Sequence, residues 1–160
     1  MPFTGIAPLA TCASPSAKRF IRAIKSGATT TSSSSIAPNR AAVAALTGDT
    51  PLWAMMETAA GMLNAAAIAA HPRLQGMVMG TNDLAKELGS RNRPDRLAMQ
   101  AGLGLCLLAA RAHGRVILDG VYNAFRDADG LRAECAQGRD MGFDGKTLIH
   151  PAQIDIAKDR

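Results

Sequence analysis

The chain has few aromatic residues, no long uninterrupted apolar run and few cysteines. It contains four Phe, one Tyr and one Trp, so it offers little stacking surface for bases, and we expect no nucleic-acid partner. No stretch approaches the roughly 20 apolar residues that span a bilayer, so we expect no membrane association. The three cysteines form no C-x-x-C pair. They indicate free thiols in a reducing compartment, and we therefore expect a cytoplasmic location.

Acidic residues are also scarce at the start of the chain. Residues 1–50 contain five Lys or Arg residues but a single acid, Asp49. The stretch 26–36 consists mainly of Ser and Thr, and a low-complexity polar segment buries too little apolar surface to offset its loss of conformational entropy. We therefore predict a disordered leader over 1–48, followed by a folded domain over 49–160.

Three interpretations of the leader stay open. A lack of acids together with abundant Ser, Thr, Lys and Arg is typical of organelle transit peptides, which would change the expected location to the mitochondrial matrix. The segment Leu9-Ala-Thr-Cys12 has a faint similarity to a lipoprotein cleavage box, but no basic residue stands before Lys18. The third interpretation is a leader that is unrelated to the domain after it.

From Pro51 onward, short apolar runs alternate with helical patterns. Continuous apolar runs that alternate with helices favour a parallel sheet covered by helices, an α/β architecture. Within the helix 94–113, apolar residues at spacings of three and four predict a stripe that packs on the sheet: Leu97, Ala101, Leu105, Leu108 and Ala112. The pattern predicts strands at 52–57, 76–80, 115–119 and 145–149, and helices at 61–70, 94–113 and 129–141.

Two acids stand at the ends of neighbouring predicted strands. Glu57 ends the first strand, and Asp83 follows the second after a short turn. Because the carboxyl ends of parallel strands meet at one edge of a sheet, both acids point to one site. Mg²⁺ prefers hard oxygen ligands and usually takes one or two carboxylates. The alternative is that each acid caps a helix or pairs with a surface base, and the spacing alone does not decide between the two.

Three more positions around this edge carry hypotheses. Gly80, Thr81 and Asn82 form a turn from a strand into a helix, and its backbone N–H groups suit a carboxylate or an enolate; the alternative is an ordinary loop. Asp119 ends the third strand and is a candidate supporting residue or loop cap. Lys146 stands near the start of the last predicted strand, which would put it at the opposite end, where stability rather than chemistry is expected.

Several segments of the chain resemble one enzyme family in the same order and at the same spacing. The family is the citrate lyase β-subunit-like family of CoA-ester lyases, within the HpcH/HpaI-type aldolase superfamily. The resemblance runs from about residue 50 to 154. Its segments are Pro51-Leu-Trp-Ala-Met-Met-Glu-Thr58, Gly61-Met-Leu-Asn-Ala65, Gly80-Thr-Asn-Asp-Leu-Ala85, Leu105-Cys-Leu-Leu-Ala-Ala-Arg-Ala112, Ile117-Leu-Asp-Gly-Val-Tyr-Asn123 and Met141-Gly-Phe-Asp-Gly-Lys-Thr-Leu-Ile-His-Pro-Ala-Gln153.

The resemblance implies a TIM (β/α)₈ barrel, of which this chain would form about four C-terminal βα units. It implies that Glu57 and Asp83 bind Mg²⁺, and that Gly80, Thr81 and Asn82 hold the substrate carboxylate. The implied reaction is carbon–carbon cleavage of a 3-hydroxyacyl-CoA such as malyl-CoA or citramalyl-CoA. The implied partners are therefore a CoA thioester and a 2-oxo acid. A divalent cation suits this chemistry because it stabilises negative charge that develops on oxygen. No further catalytic residue is assigned.

The chain also departs from the family pattern. The earlier barrel strands and the substrate-binding arginine have no counterpart in residues 1–48, and Ala59 replaces a common proline. We therefore expect a truncated enzyme with reduced or no activity. The alternative is a non-catalytic barrel fragment that associates with itself or with a full-length relative. Because unpaired strand edges favour association, we expect a homo-oligomer.

Overall fold

The computed structural model describes residues 29–32 and 49–158. In these ranges five parallel strands form one sheet, and their spatial order follows their order in the chain. Parallel neighbours require a crossover, and helices provide it between the strands from the second to the fifth. The strands are β1 (Thr29–Ser32), β2 (Leu52–Met56), β3 (Leu74–Met79), β4 (Val116–Asp119) and β5 (Gly145–Lys146).

The helices of the described ranges alternate with these strands. The longest has 14 residues, and within the described ranges no helix combines the length and the apolar character needed to cross a bilayer. Two 3₁₀ turns, Leu97–Met99 and Pro151–Gln153, precede the fourth and the sixth helix. The α-helices are α1 (Ala59–Leu63), α2 (Ala65–Ala69), α3 (Thr81–Glu87), α4 (Gln100–Ala112), α5 (Ala128–Met141) and α6 (Ile154–Lys158).

Apolar side chains cover both faces of the sheet. On one face, Met56, Met77 and Ile117 are fully buried in the main core, which the helices α1 to α4 complete. On the other face, Trp53 packs with residues of β3 and β4 in a second cluster. Cys106 of α4 is fully buried in the main core, and burial raises the pKa of its thiol to about 12. Burial on both faces explains why the strands read as continuous apolar runs.

The predicted α/β class with a parallel sheet is confirmed. Four βα units begin at β2, β3, β4 and β5, as the resemblance implied. The last strand is shorter than predicted. After Lys146 the chain stays bound to β4 through the Thr147 N–H and hydroxyl, which both donate to the Asp119 carbonyl oxygen, and it then turns into the 3₁₀ turn at Pro151.

The helices differ from the prediction in two ways. The helix predicted over 61–70 is divided into α1 and α2 at Asn64, whose side-chain Nδ2 donates to the Ala60 carbonyl oxygen at 2.8 Å. An Asn side chain competes for backbone partners in this way and interrupts a helix. The short helix α6 was not predicted, and for α3 we predicted only a turn into a helix without its bounds, because so few residues carry too little periodicity to be recognised.

The predicted leader contains one strand of the sheet. Our prediction of disorder over 26–36 is wrong for Thr29–Ser32, which pair with β2 in parallel. Threonine is β-branched and favours extended backbone, so a run of Thr can pair with a neighbouring strand despite its low complexity. The other residues of the predicted leader lie outside the described ranges.

The predicted packing stripe of α4 is wrong. Leu97, Leu105 and Leu108 have exposed fractions of 63%, 44% and 72%, and Ala101 and Ala112 are exposed as well. The face that packs on the sheet consists of Leu103, Cys106, Leu107 and Ala110. Both sets follow the 3.6-residue period, so periodicity alone does not distinguish them.

Candidate active site

The ends of β2, β3 and β4 form one edge of the sheet. Glu57 follows β2 directly, and Gly80 follows β3 directly. The two segments are bonded at this point, because the Gly80 N–H donates to the Met56 carbonyl oxygen at 2.7 Å. The sequence prediction that both strand ends meet at one edge is therefore correct.

Gly80 lies directly against Glu57. A Cβ atom at position 80 would lie 2.5 Å from the Glu57 Cβ and 3.2 Å from the Glu57 Oε2. Real Cβ atoms do not approach so closely, so only glycine lets the turn after β3 pack on this carboxylate side chain. The structure thus brings Glu57 to the turn from which Asp83 projects, in the first turn of α3.

The donor set at this edge suits magnesium. The described residues contain no group of three or more His, Cys, Asp or Glu side chains that could hold a metal ion. The candidate protein ligands near Gly80 are the two carboxylates that the sequence analysis singled out, those of Glu57 and Asp83. One or two carboxylates, with the remaining positions left to water and substrate, are what Mg²⁺ takes in enzymes. Binding of one ion by both acids stays a prediction.

The other two residues of the predicted substrate turn face β4. Thr81 is buried, and a Cβ at Gly120 would lie 2.5 Å from the Thr81 Oγ1. The Asn82 and Asn123 side chains exchange two hydrogen bonds, at 3.1 Å and 2.7 Å. The three residues of the turn therefore have different neighbours. Gly80 contacts Glu57, whereas Thr81 and Asn82 contact the segment after β4. Substrate binding by these three residues stays a prediction.

A buried charged cluster lies under the end of β4. Asp119 is 1% exposed and accepts from the Arg96 Nη1 at 2.7 and 2.8 Å and from the Lys146 Nζ at 3.1 Å. Lys146 also donates to the Gly120 carbonyl oxygen at 2.7 Å and to Glu134. We call Arg96, Asp119, Glu134 and Lys146 the buried charged cluster. Its two cations and two anions balance, which lowers the cost of burying them.

Two of our sequence predictions bear on this cluster. Asp119, our candidate supporting residue or loop cap, binds two cations and also accepts from the Gly120 N–H at 2.8 Å, and its role toward the candidate site stays a prediction. The placement of Lys146 at the opposite end of its strand is wrong. Since β5 has only two residues, Lys146 pairs in register with Asp119 at the same edge.

Arg96 was not predicted as a functional residue. It lies in the connection between α3 and α4 and has a left-handed backbone with φ of 51°. Its Nε donates to Gln137, which in turn donates to the Asp95 carbonyl oxygen at 3.0 Å. Within the described residues its buried Nη2 has no hydrogen-bond partner. The hydrogen bonds of its head group to Gln137 and Asp119 hold the connection against α5, and they maintain the unfavourable backbone conformation of Arg96.

The loop after β4 is held by side chains. Asp127 caps α5 through the Gly130 N–H at 2.9 Å and accepts from the Tyr122 hydroxyl at 2.7 Å. The Tyr122 hydrogen bond, followed by that of Gly130, lowers the pKa of Asp127. The bond to Asp127 also raises the pKa of Tyr122 to about 12. His150 caps the 3₁₀ turn after β5 by accepting from the Ala152 N–H at 3.1 Å, a structural role.

Comparison with known proteins identifies relatives that cover most of this chain. The model of the family described as HpcH/HpaI aldolase/citrate lyase matches residues 15–151. A (3S)-malyl-CoA thioesterase of Cereibacter sphaeroides is 87% identical over 116 residues, which are 72% of this chain and 41% of that protein. A citrate lyase subunit beta-like protein of Deinococcus radiodurans is 37% identical over 107 residues, 67% of this chain and 38% of that protein. The chain thus spans about two fifths of the length of these relatives.

Solved structures support the same assignment. The citrate lyase beta subunit of Mycobacterium tuberculosis with oxaloacetate and magnesium has a TM-score of 0.69 at 34% identity, covering 81% of this chain and 59% of that one. Protein CitE of Mycobacterium tuberculosis with magnesium, acetoacetate and coenzyme A has a TM-score of 0.70 at 34% identity, covering 89% and 55%. The resemblance inferred from the sequence is confirmed. The family match begins inside the predicted leader, and the boundary at residue 48 stays a prediction.

Proposed function

Because the chain belongs to the HpcH/HpaI aldolase/citrate lyase family, we propose that it acts on malyl-CoA with Mg²⁺ held by Glu57 and Asp83. The observation that carries the proposal is the contact of Gly80 with Glu57, which ties the first acid to the turn that carries the second. The 87% identity to a protein named (3S)-malyl-CoA thioesterase supports malyl-CoA as the substrate.

The chain's own residues orient the substrate. Mg²⁺ bound by the two acids would act as a Lewis acid toward the oxygens of the malyl group. The first N–H groups of a helix have no acceptor within the helix, so those of Thr81 and Asn82 can donate to the malyl carboxylate. Glu57 is kept in place by Gly80, and the buried charged cluster supports the neighbouring strand end.

Two reactions of malyl-CoA are compatible with such a site. In hydrolysis, water adds to the thioester carbonyl carbon, the C–S bond breaks, and malate and CoA are released. In carbon–carbon cleavage, the bond beside the hydroxyl-bearing carbon breaks and gives acetyl-CoA and glyoxylate. We favour hydrolysis, since the relatives at 86–87% identity are named thioesterases. Cleavage is the second candidate, supported by the citrate lyase-type relatives.

Product analysis of the full chain tests the proposal. We expect purified protein, malyl-CoA and Mg²⁺ to give free CoA and malate, and chelation of the metal to stop the reaction. Acetyl-CoA and glyoxylate would instead identify the lyase reaction. Glu57→Gln and Asp83→Asn should each abolish turnover, whereas Asp129→Asn, at a side chain 98% exposed on α5, should not change it. Turnover that persists in both acid variants would contradict the metal site.

Self-association without catalysis is a further candidate, and the exposed leucines of α4 favour it. Leu105 and Leu108 lie on the solvent side of this helix, and large exposed apolar patches commonly mark interfaces. We propose that a second copy of the chain covers this face. Sedimentation should then show a dimer or larger species that Leu108→Glu converts to a monomer. A monomeric wild-type chain that turns over malyl-CoA would exclude this candidate.

A further inference from the structure

A second contact joins the segment after β2 to α3, at the far end of that helix. Glu87 is the last residue of α3, and its Oε2 accepts a hydrogen bond from the Ala59 N–H at 3.0 Å. Ala59 stands two residues after Glu57 and begins α1. Proline, the common residue of the family at this position, has no N–H and could not form the bond. The contact therefore depends on the alanine of this chain.

The Ala59 N–H needs an acceptor from outside its own helix, because the first N–H groups of a helix have none within it. Thr58 supplies one for the same turn of α1, since its Oγ1 accepts from the Gly61 N–H at 3.1 Å. Glu87 supplies the other. Hydrogen bonds to an ionised carboxylate are stronger than those between neutral groups, so this bond fixes the relative position of the two helix ends.

The same side of α3 carries Glu87 and Asp83. Residues four apart in a helix are neighbours on its surface, with Cβ atoms about 5–6 Å apart. Because Glu87 reaches Ala59, this side of α3 faces the segment that follows β2. Asp83, one turn earlier, therefore lies on the side of α3 that faces the segment carrying Glu57. A metal ion shared by the two acids requires this orientation.

Two contacts thus hold α3 relative to the end of β2. Gly80 packs on Glu57 directly before the helix, and Glu87 binds Ala59 at its last residue. A helix held at one end only can pivot, and pivoting changes the distance between the Glu57 and Asp83 carboxylates. An Mg²⁺ ion bound by both acids tolerates little change of this kind, because it demands near-ideal octahedral geometry.

We infer that Glu87 is a positioning residue for the Mg²⁺ site, an inference that rests on the proposed function for the metal ion and its two ligands. Through the Ala59 N–H, Glu87 holds α3 so that the Asp83 carboxylate stays near that of Glu57. In this role Glu87 does not contact the ion itself. Its effect is preorganisation: without the bond, α3 has to be ordered when the ion binds, and this ordering lowers the affinity.

Two substitutions remove the bond from opposite sides. Glu87→Ala removes the acceptor, whereas Ala59→Pro removes the donor and leaves the charge of Glu87 in place. Ala59 is the first residue of α1, a position that suits proline, and Thr58 has the extended backbone, with φ of −129° and ψ of 151°, that the residue before proline adopts. Calorimetric titration of the full chain with Mg²⁺ should show about fivefold weaker binding for each variant.

Ala59→Pro separates positioning from folding stability. Because proline suits the first helical position, we expect its melting temperature without metal to equal or exceed that of the wild type, while its Mg²⁺ affinity falls. Ala128→Pro is the matched control, since Ala128 is the first residue of α5 and also follows a residue with extended backbone. This control should leave the Mg²⁺ affinity unchanged.

A double variant and a conservative variant complete the test. Since Glu87→Ala and Ala59→Pro remove the same bond, their combination should weaken Mg²⁺ binding by about fivefold, whereas independent effects would give about 25-fold. Glu87→Gln keeps an acceptor oxygen and removes the charge, so its affinity should stay within about twofold of the wild type. The inference is overturned if Ala59→Pro binds Mg²⁺ as tightly as the wild type, or if Glu87→Gln binds as weakly as Glu87→Ala.

The metal titration distinguishes this inference from the proposed function. If Mg²⁺ affinity depends on the bond between Ala59 and Glu87 but malyl-CoA is not turned over, the proposed reaction is wrong and the positioning role stands. If malyl-CoA is turned over with Mg²⁺ while Glu87→Ala and Ala59→Pro bind the ion as tightly as the wild type does, the proposed function stands and the positioning role is wrong. A wild type that does not bind Mg²⁺ contradicts both.

Discussion

Three acids lie at or just after the ends of three successive strands, at one edge of the sheet, but they have different surroundings. Asp83 is exposed in the first turn of α3, and Glu57 is half-buried beside Gly80. Asp119 is 1% exposed and binds Arg96 and Lys146. Similar positions at the ends of parallel strands thus give a candidate metal ligand in two cases and a structural anchor in the third. What sets Asp119 apart from the exposed Asp83 is its burial against two cations.

The physical reason is the cost of burying charge. A carboxylate that leaves water loses its hydration, and it stays ionised in the protein interior only if cations and hydrogen bonds replace the water. Asp119 has two cations. Such a carboxylate has its lone pairs occupied, so it cannot serve a metal ion at the same time. An exposed carboxylate keeps its water, which a metal ion can displace.

The largest effect is expected from breaking the buried charged cluster. Asp119→Asn leaves Arg96 and Lys146 buried with one anion, and we expect the free energy of unfolding to fall by about 3–5 kcal/mol. Urea denaturation followed by circular dichroism measures the change. Asp129→Asn on the surface of α5 is the control. A loss for Asp119→Asn below about 1 kcal/mol would mean that the cluster is not an anchor.

The next effect concerns the contact between Gly80 and Glu57. In Gly80→Ala the new methyl group would lie 2.5 Å from the Glu57 Cβ, so the turn or the side chain must move. We expect a loss of about 1–3 kcal/mol in stability, together with weaker Mg²⁺ binding in a calorimetric titration.

Gly104→Ala is the matched control for this change. Gly104 lies within α4, and a Cβ there would meet no atom within 4 Å. Because alanine favours helix more than glycine does, this variant should gain up to about 1 kcal/mol in stability. If Gly80→Ala and Gly104→Ala change the free energy of unfolding equally, the contact between Gly80 and Glu57 does not contribute to stability.

A smaller change in stability is expected at Asp83. Its carboxylate is exposed near the N-terminus of α3, so Asp83→Asn should lower stability by less than about 1 kcal/mol. The rise in melting temperature on addition of Mg²⁺ should, however, disappear, because a ligand that binds only the folded state stabilises it. If, in the absence of metal, Asp83→Asn lowers the free energy of unfolding as much as Asp119→Asn does, the contrast between the two acids is wrong.

The smallest expected effect is the contribution of the hydrogen bond between Asp127 and Tyr122 to the pH dependence of folding stability. The Tyr122 hydrogen bond lowers the pKa of Asp127 in the folded state. Its contribution to stability is therefore present above the unfolded pKa and is lost as the pH falls through the folded pKa. Tyr122→Phe should make the acid side of the stability profile shallower, as acid titration followed by circular dichroism would reveal.

The tyrosine reports on the same bond at high pH. The pKa of Tyr122 is raised from 10.0 to about 12, so its contribution is present below pH 10 and is lost as the pH rises toward 12. Tyr122 is the one tyrosine of the chain, so its ionisation can be followed by ultraviolet absorbance. At pH 10 it should be mostly neutral in the wild type and more ionised in Asp127→Ala, because the hydrogen bond to Asp127 is the largest cause of the raised pKa. Equal spectra would show that the hydrogen bond does not form.

Sequence reasoning succeeded where a local pattern has one structural solution. Apolar runs bounded by glycine or proline predicted β2, β3 and β4, and the strand ends predicted the positions of Glu57 and Gly80. It failed on α4, because two faces of the helix carry apolar residues at helical spacing. The side that packs carries Leu103, Cys106 and Ala110, which are buried in the main core. Close packing therefore selected the face, and hydrophobicity alone did not predict it.

The order of strands and helices, and the placement of acids at strand ends, followed from the sequence by itself, because these depend on short-range periodicity and on where each apolar run stops. The partners of Asp119 were decided by the tertiary structure alone. Arg96 and Lys146 stand 23 and 27 residues away in the chain, and they reach Asp119 only after β4, β5 and α5 have packed. An ion pair depends on distance in space and on burial, and neither is encoded in the spacing of residues along the chain.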